Sequence, residues 1–216
     1  MKLQLNTTDY AILGLLQRRP WSAYELTQYM RESSIKAIWP RAESRLYESP
    51  KKLTAMLLAE ATKNKVGKRT RTVYRITVAG QAALDEWLAE PGKPLTIEHE
   101  AMLKLVFGDI NEAAQQQSML DNIGQQVEQH IEQLQHAYRG LLAHQSHPQD
   151  SSPVPSQRVA QNLLVNRYIE ELLAGQKKWL SFAKDFDRQW HQCDTEEQKK
   201  ALISAQYQAS LGLDKS

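Results

Sequence analysis

Apolar residues recur at helical spacing along most of this chain and give way to a β-like pattern at one place. Tyr10, Ile12, Leu13, Leu15 and Leu16 mark one face of a first helix. The side-chain oxygens of Asn6-Thr7-Thr8-Asp9 can cap its start, and Arg18-Arg19-Pro20 ends it, because proline lacks a donor and disfavours helix in the residue before it. Ser22-Ala23-Tyr24-Glu25 has the spacing of a capping box, so a second helix runs from 24 to about 31 with Leu26, Tyr29 and Met30 inward. A third helix, from about 42 to 58, turns Leu46, Leu53, Met56 and Leu57 to the core and Arg45, Lys51 and Lys52 elsewhere. Pro50 leaves two readings open: a kink at 48–50, or a turn followed by a helix that starts near Pro50. Residues 60–63 and 72–77 read as two short strands around a turn at Gly67, with Val73, Tyr74 and Ile76 as β-formers. A fourth helix over 78–89 carries Leu84, Trp87 and Leu88 and stops at Pro91-Gly92.

Beyond a linker at 91–94, the pattern is helical. Residues 98–107 form a short helix and 111 to about 144 a long one. Leu120, Val127, Leu134 and Leu141 recur there every seven residues, with Ile131 and Tyr138 between them and Gln117 and Gly124 interrupting that second stripe. A turn-rich loop at 147–155 leads into another long helix, 156–190. The two make an αα-hairpin. Its apolar surface exceeds what one hairpin hides, so either a second subunit covers it or it folds back on the first domain. Thr195-Glu196-Glu197-Gln198 opens a last short helix to about 210. The fold class is therefore mainly α, with a β-hairpin and two domains, 1–90 and 91–216.

Charge changes this picture more than composition does. Hydrophobic content of 41% and charged content of 24% are ordinary for a globular protein. At a mean hydropathy of −0.58, no apolar run reaches bilayer length. The N-terminus lacks a signal peptide's apolar region, and Cys193 is the only cysteine, which suits a reducing cytoplasm and excludes an internal disulfide or a Cys-pair zinc site. No cofactor motif is present. Residues 36–75, however, hold eleven Lys and Arg against three acids, a net +8 in a chain of +2, so the remainder sums to −6. The positive charge covers the third helix and the basic turn from Lys63 to Arg75. An amphipathic helix followed by a basic hairpin is the layout of a winged helix-turn-helix, and nucleic acid is its expected partner.

Several runs also resemble the PadR family of bacterial transcriptional regulators. These are Tyr10-Ala11-Ile12-Leu13-Gly14-Leu15-Leu16, Ala23-Tyr24-Glu25-Leu26, Arg45-Leu46-Tyr47 with Leu53, and Thr72-Val73-Tyr74-Arg75-Ile76-Thr77-Val78-Ala79-Gly80 with Trp87. The chain departs from the family at three points: Ala23 replaces a usual glycine, Pro50 a usual leucine, and Met56-Leu57-Leu58 stands where Gly-Leu-Val is common. The resemblance implies a winged helix that puts its third helix in the major groove and its wing along the backbone. It also implies dimerisation through C-terminal helices, and in some members release of DNA by phenolic or other planar compounds.

The residues assign the contacts as follows. Lys65, Lys68, Arg69 and Arg71, with the Thr70 hydroxyl, are the wing's phosphate candidates. Arg41, Ser44, Arg45, Tyr47, Lys51 and Lys52 are the helix candidates, with Arg45 suited to bidentate guanine readout. Ser22 and Tyr24, at a helix N-terminus, can hold a further phosphate. Basic runs are often only solvated surface, and Tyr47 and Tyr74 fit a core as well as an interface. The expected operator is palindromic double-stranded DNA read by a homodimer, with repression as the expected output. The runner-up is a winged-helix module for protein partners without operator specificity. Trp87 and Trp179 are candidates to wall an aromatic effector's pocket, or plain core. His191-Gln192-Cys193 lacks an orienting third residue, and His130, His136, His144 and His147 form no i, i+4 pair, so neither catalysis nor metal binding is expected.

Overall fold

The computed structural model describes residues 4–66, 69–146 and 156–212, and the chain divides into two compact units, Met1–Leu95 and Thr96–Ser216. The sequence-based boundary stood at 90/91. Lys68 and the 147–155 loop lie outside the described residues.

The first unit runs α1 (Thr7–Arg18), β1 (Trp21–Ser22), α2 (Ala23–Glu32), α3 (Ile35–Ile38), α4 (Glu43–Ala55), β2 (Ala59–Val66), β3 (Arg69–Ile76) and α5 (Val78–Ala89). Local sequence starts its helices. Asn6 accepts the Asp9 amide at 3.1 Å while Asp9 accepts the Asn6 amide at 2.9 Å, and Ser22 with Glu25 repeats that box at α2. Ile12, Leu13, Leu15 and Leu16 of α1 bury against Leu26 and Met30 of α2, Leu46 and Leu53 of α4, Tyr74 of β3 and Leu84 of α5. Tyr74 is thus core. Trp21 joins this cluster by donating its indole N–H to the Leu15 carbonyl at 2.9 Å.

Three expectations are corrected here. The sheet has three strands, ordered β1-β3-β2 and antiparallel, because Trp21 and Ser22 pair with Tyr74 and Val73. A two-residue strand is too short to show alternation in sequence. Both hairpin strands are eight residues long, and a single turn, α3, precedes α4. Of the two readings for Pro50, the restart is overturned: the residue lies inside a continuous α4 and is buried. Proline cannot supply the amide that would bond the Leu46 carbonyl. Side-chain ties compensate on either side: the Ser49 hydroxyl donates to Asp9 Oδ1 at 2.7 Å and Lys52 Nζ to Asp9 Oδ2 at 2.6 Å.

A Schellman turn closes α4, with the Leu58 amide on the Leu53 carbonyl and the Leu57 amide on that of Thr54. Its left-handed residue is Leu57, at φ 60°, one position later than the family register had placed the missing glycine. The same turn seats α5. The Thr77 hydroxyl donates to the Leu57 carbonyl at 2.8 Å, and a Cβ on Gly80 would overlap the Leu58 carbonyl.

The second unit contains α6 (Glu100–Phe107), α7 (Ala113–Ser146), α8 (Ser156–His191) and α9 (Glu196–Ser210). Asp121 pairs with Lys184 at 2.6 Å and Glu128 with Lys177 at 2.7 Å, seven residues forward in α7 matching seven back in α8, so the hairpin is antiparallel. Ile123 and Val127 bury against Ile169 and Leu173. Gly124, which interrupted the apolar stripe, admits Leu180: a Cβ there would lie 3.0 Å from that side chain. Farther along, burial and a hydrogen bond with Glu170 push the Tyr138 hydroxyl up to about 12. The Leu141 side chain is outside the described residues. On α8, Leu163, Leu164, Tyr168 and Leu172 remain exposed. No helix among the described residues is long and apolar enough to cross a membrane.

Candidate nucleic-acid interface

Helix α4 buries Leu46, Ser49, Pro50 and Leu53 and so turns Ser44, Arg45, Tyr47, Glu48 and Lys51 outward. Ser44, Tyr47 and Lys51 follow i, i+3, i+7 spacing and share one face. Tyr24, in the first turn of α2, is 66% exposed. Arg41, just ahead of α4, lies 3.9 Å over the Trp39 ring. Trp39, Arg41 and Arg45 line one shallow concavity of about 430 Å³ between α4 and the first turn of α1. These groups make a polar, cation-bearing surface around one helix.

The wing adds a second element. Lys63 pairs across from Thr72, and Asn64 from Arg71, so strand alternation sends Lys63 and Arg71 to opposite faces of the ribbon. Thr70 is exposed on β3. Lys65 and Arg69 lie at register positions in the two strands, but their side chains, like all of Lys68, are outside the described residues.

Three candidates are placed differently from expectation. Lys52 faces inward, held by buried Asp9 and by the Gln4 carbonyl, each at 2.6 Å. Ser22 is 5% exposed, and its hydroxyl and amide both donate to Glu25, at 3.0 and 2.8 Å, which leaves no free hydroxyl proton for a phosphate. Arg71 forms an ion pair with the same Glu25. Burial works to raise the Glu25 carboxyl, but the hydrogen bonds from Arg71 and Ser22 outweigh it and hold the group at about 2. The acids responsible, Asp9 and Glu25, were read from sequence only as helix caps. Each in fact has a second partner far along the chain, which no local pattern announces.

Trp87 stacks on Tyr10 with ring centroids 4.9 Å apart, within the first unit's core, and Trp179 packs with the α7–α8 cluster of the second. The Cys193 thiol contacts the Gln189 carbonyl at 3.3 Å, and His191 Nε2 lies 3.6 Å from Asp187.

A compact helical core, a helix with a solvent-facing polar surface and a basic β-ribbon define a winged-helix DNA-binding protein. Residues 12–86 match the Transcriptional regulator PadR-like family. The negative transcriptional regulator PadR of Bacillus subtilis (strain 168) is 30% identical over 151 residues, 69% of this chain and 82% of that protein. The crystal structure of B. subtilis PadR in complex with operator DNA superposes with a TM-score of 0.62 at 25% identity, covering 85% of this chain and 98% of the other. The same protein in complex with p-coumaric acid gives 0.54 at 24%, covering 83% and 99%. The chain belongs to the PadR-like family and is a DNA-binding transcriptional regulator.

Proposed function

We propose that this regulator works in the cytoplasm as a homodimeric repressor, reading a two-fold operator with the outward face of α4 and gripping the flanking phosphates with the wing. The observation that carries this is the exposed set Ser44, Arg45, Tyr47 and Lys51 on a helix whose opposite side is locked into the core. Arg45 is proposed for base readout, with Arg41, Lys51, Tyr24, Thr70, Lys65, Lys68 and Arg69 for the backbone. Lys52, Ser22 and Arg71 are proposed to hold the reading elements in place instead. The exposed stripe Leu164, Tyr168 and Leu172 on α8, at four-residue spacing, supports a subunit interface there.

Binding of duplex DNA, followed by anisotropy from low to moderate salt, should fall steeply, with log K linear in log salt. Discrimination between a promoter duplex and a scrambled one is the expected result. Equal, salt-insensitive binding to both would leave the protein-interaction module as the better reading.

We also propose a small planar aromatic acid as effector, on the likeness to the p-coumaric acid complex of B. subtilis PadR. The stacking of Trp87 on Tyr10 and the packing of Trp179 support structural roles for both. Effector-induced release of DNA that survives W87F and W179F would assign both rings to the core.

A further inference from the structure

We propose that Trp39 is a positioning residue for DNA binding: its indole holds the Arg41 guanidinium over its face at the mouth of α4, so that Arg41 meets a phosphate already ordered. This rests on the DNA-binding reading above and adds to it a residue that never touches DNA.

The platform is fixed from three sides. The Trp39 amide donates to the Ile35 carbonyl at 2.7 Å, which ends α3. Its indole N–H donates to Thr8 Oγ1 at 3.2 Å, and Thr8 is itself only 6% exposed on α1. The ring packs against the first unit's core. Pro40 then restricts the backbone between platform and cation. Arg41 lies with Cζ 3.9 Å from the ring centroid and donates one N–H to the Pro40 carbonyl at 2.6 Å. A guanidinium has five donors in a rigid plane, so stacking orients it while most of its hydrogen-bonding capacity stays open.

Several cations of this unit are used differently, and Arg18, 5.9 Å from the Tyr29 ring centroid, spends an N–H on the Tyr29 hydroxyl at 2.9 Å. Arg31 pairs with Glu43, Lys52 with Asp9, Arg71 with Glu25 and Arg75 with Glu60. Arg19 also stacks, over Trp21, but lies 3.6 Å from Glu25. Among the described residues, Arg41 has an aromatic platform and no carboxylate at ion-pair distance. A long side chain ordered before binding loses less rotamer freedom on contact.

The test is anisotropy of a mixed-sequence duplex of roughly 30 base pairs, long enough for two half-sites, across a salt series. Arg41→Ala should weaken binding and flatten the slope of log K against log salt by about 1.8, one phosphate contact from each subunit of the proposed dimer. Arg41→Lys and Trp39→Leu keep the charge, so each should keep the slope yet lose roughly 3- to 10-fold in affinity. Trp39→Leu should cost nothing further in an Arg41→Ala background. Wild-type affinity in Arg41→Lys, an unchanged slope in Arg41→Ala, or a full Trp39→Leu loss without Arg41 would each overturn the proposal. Arg41 is exposed, so its two variants decide the matter even if Trp39→Leu unfolds, which circular dichroism would reveal. Salt-independent or absent binding by the wild-type protein would bring down the DNA-binding reading as well, a result distinct from failure in the variants alone.

Discussion

Leu57 carries a left-handed backbone conformation that costs a non-glycine residue roughly 1 kcal/mol, and its side chain is 77% exposed, so nothing in the core repays it. Leu57→Gly should therefore stabilise the first unit by up to about 1 kcal/mol, visible as a raised midpoint in thermal or urea unfolding. Twenty-three residues on, Gly80 shows the opposite requirement. Its backbone conformation is unremarkable, but the Leu58 carbonyl occupies the place of a side chain. Gly80→Ala should cost about 2 kcal/mol or more by forcing α5 away from that turn, with a matching loss of midpoint. At both sites the sequence marked an unusual position without its cause. The missing glycine was visible against the family pattern, one residue out of register, while the Ala79-Gly80 pair, part of the family-like run, carried no hint of which carbonyl it faces.

At the scale of elements, α1, α2, α5 and α9 were legible because each carries its own start signal, whereas α3, α4 and α6 begin without a side-chain cap. The Ser22–Glu25 and Thr195–Gln198 boxes lie within four residues and form as read, and Asn6-Thr7-Thr8-Asp9, read only as a source of capping oxygens, forms a third reciprocal box. What sequence could not show was the second use of those capping acids. Glu25 closes the α2 cap and anchors Arg71 of β3, tying the wing to the helix-turn-helix. Its carboxyl is held near 2 against an ordinary 4.5, so the folded state binds its proton less well than the unfolded chain. The resulting stability is present above about pH 4.5 and is lost as pH falls toward 2. The full shift would correspond to about 3 kcal/mol, and the partial solvation of Arg71 reduces that to about 1–2 kcal/mol. Glu25→Gln should lower stability at pH 7 and flatten the acid limb of a stability-versus-pH curve. An unchanged limb would remove the anchor from the account. Pro50 belongs to the same scale: sequence left a kink or a restart open, and the helix runs on through it beside the Ser49 and Lys52 ties to Asp9 of α1.

For the molecule as a whole, the hydrophobic pattern exposed a surplus that the α7–α8 hairpin does not absorb. Leu120, Ile123, Val127, Ile169 and Leu173 are buried, but Leu163, Leu164, Tyr168 and Leu172 stay at the surface. Under the proposed dimer, Leu164→Glu with Leu172→Glu should shift the protein to monomer in analytical ultracentrifugation. It should also weaken operator binding at least tenfold, since a lone winged helix reads one half-site. Retention of the dimer would move the interface elsewhere. The basic segment was the clearest whole-chain signal, yet its charge is partly consumed internally, because Lys52 and Arg71 serve carboxylates. Net charge counts cations, and only folded geometry separates those facing solvent from those facing acids.

The Asp9 clamp on α4 carries a consequence for reprogramming this regulator. Ser49 and Lys52 lie in the reading helix by sequence but belong to the scaffold by geometry, so varying them in a library would yield misfolded clones rather than new specificities. The variable alphabet of this helix is Ser44, Arg45, Tyr47, Glu48 and Lys51. A helix transplanted from a relative would need Ser49 and Lys52 restored before its recognition residues could be judged.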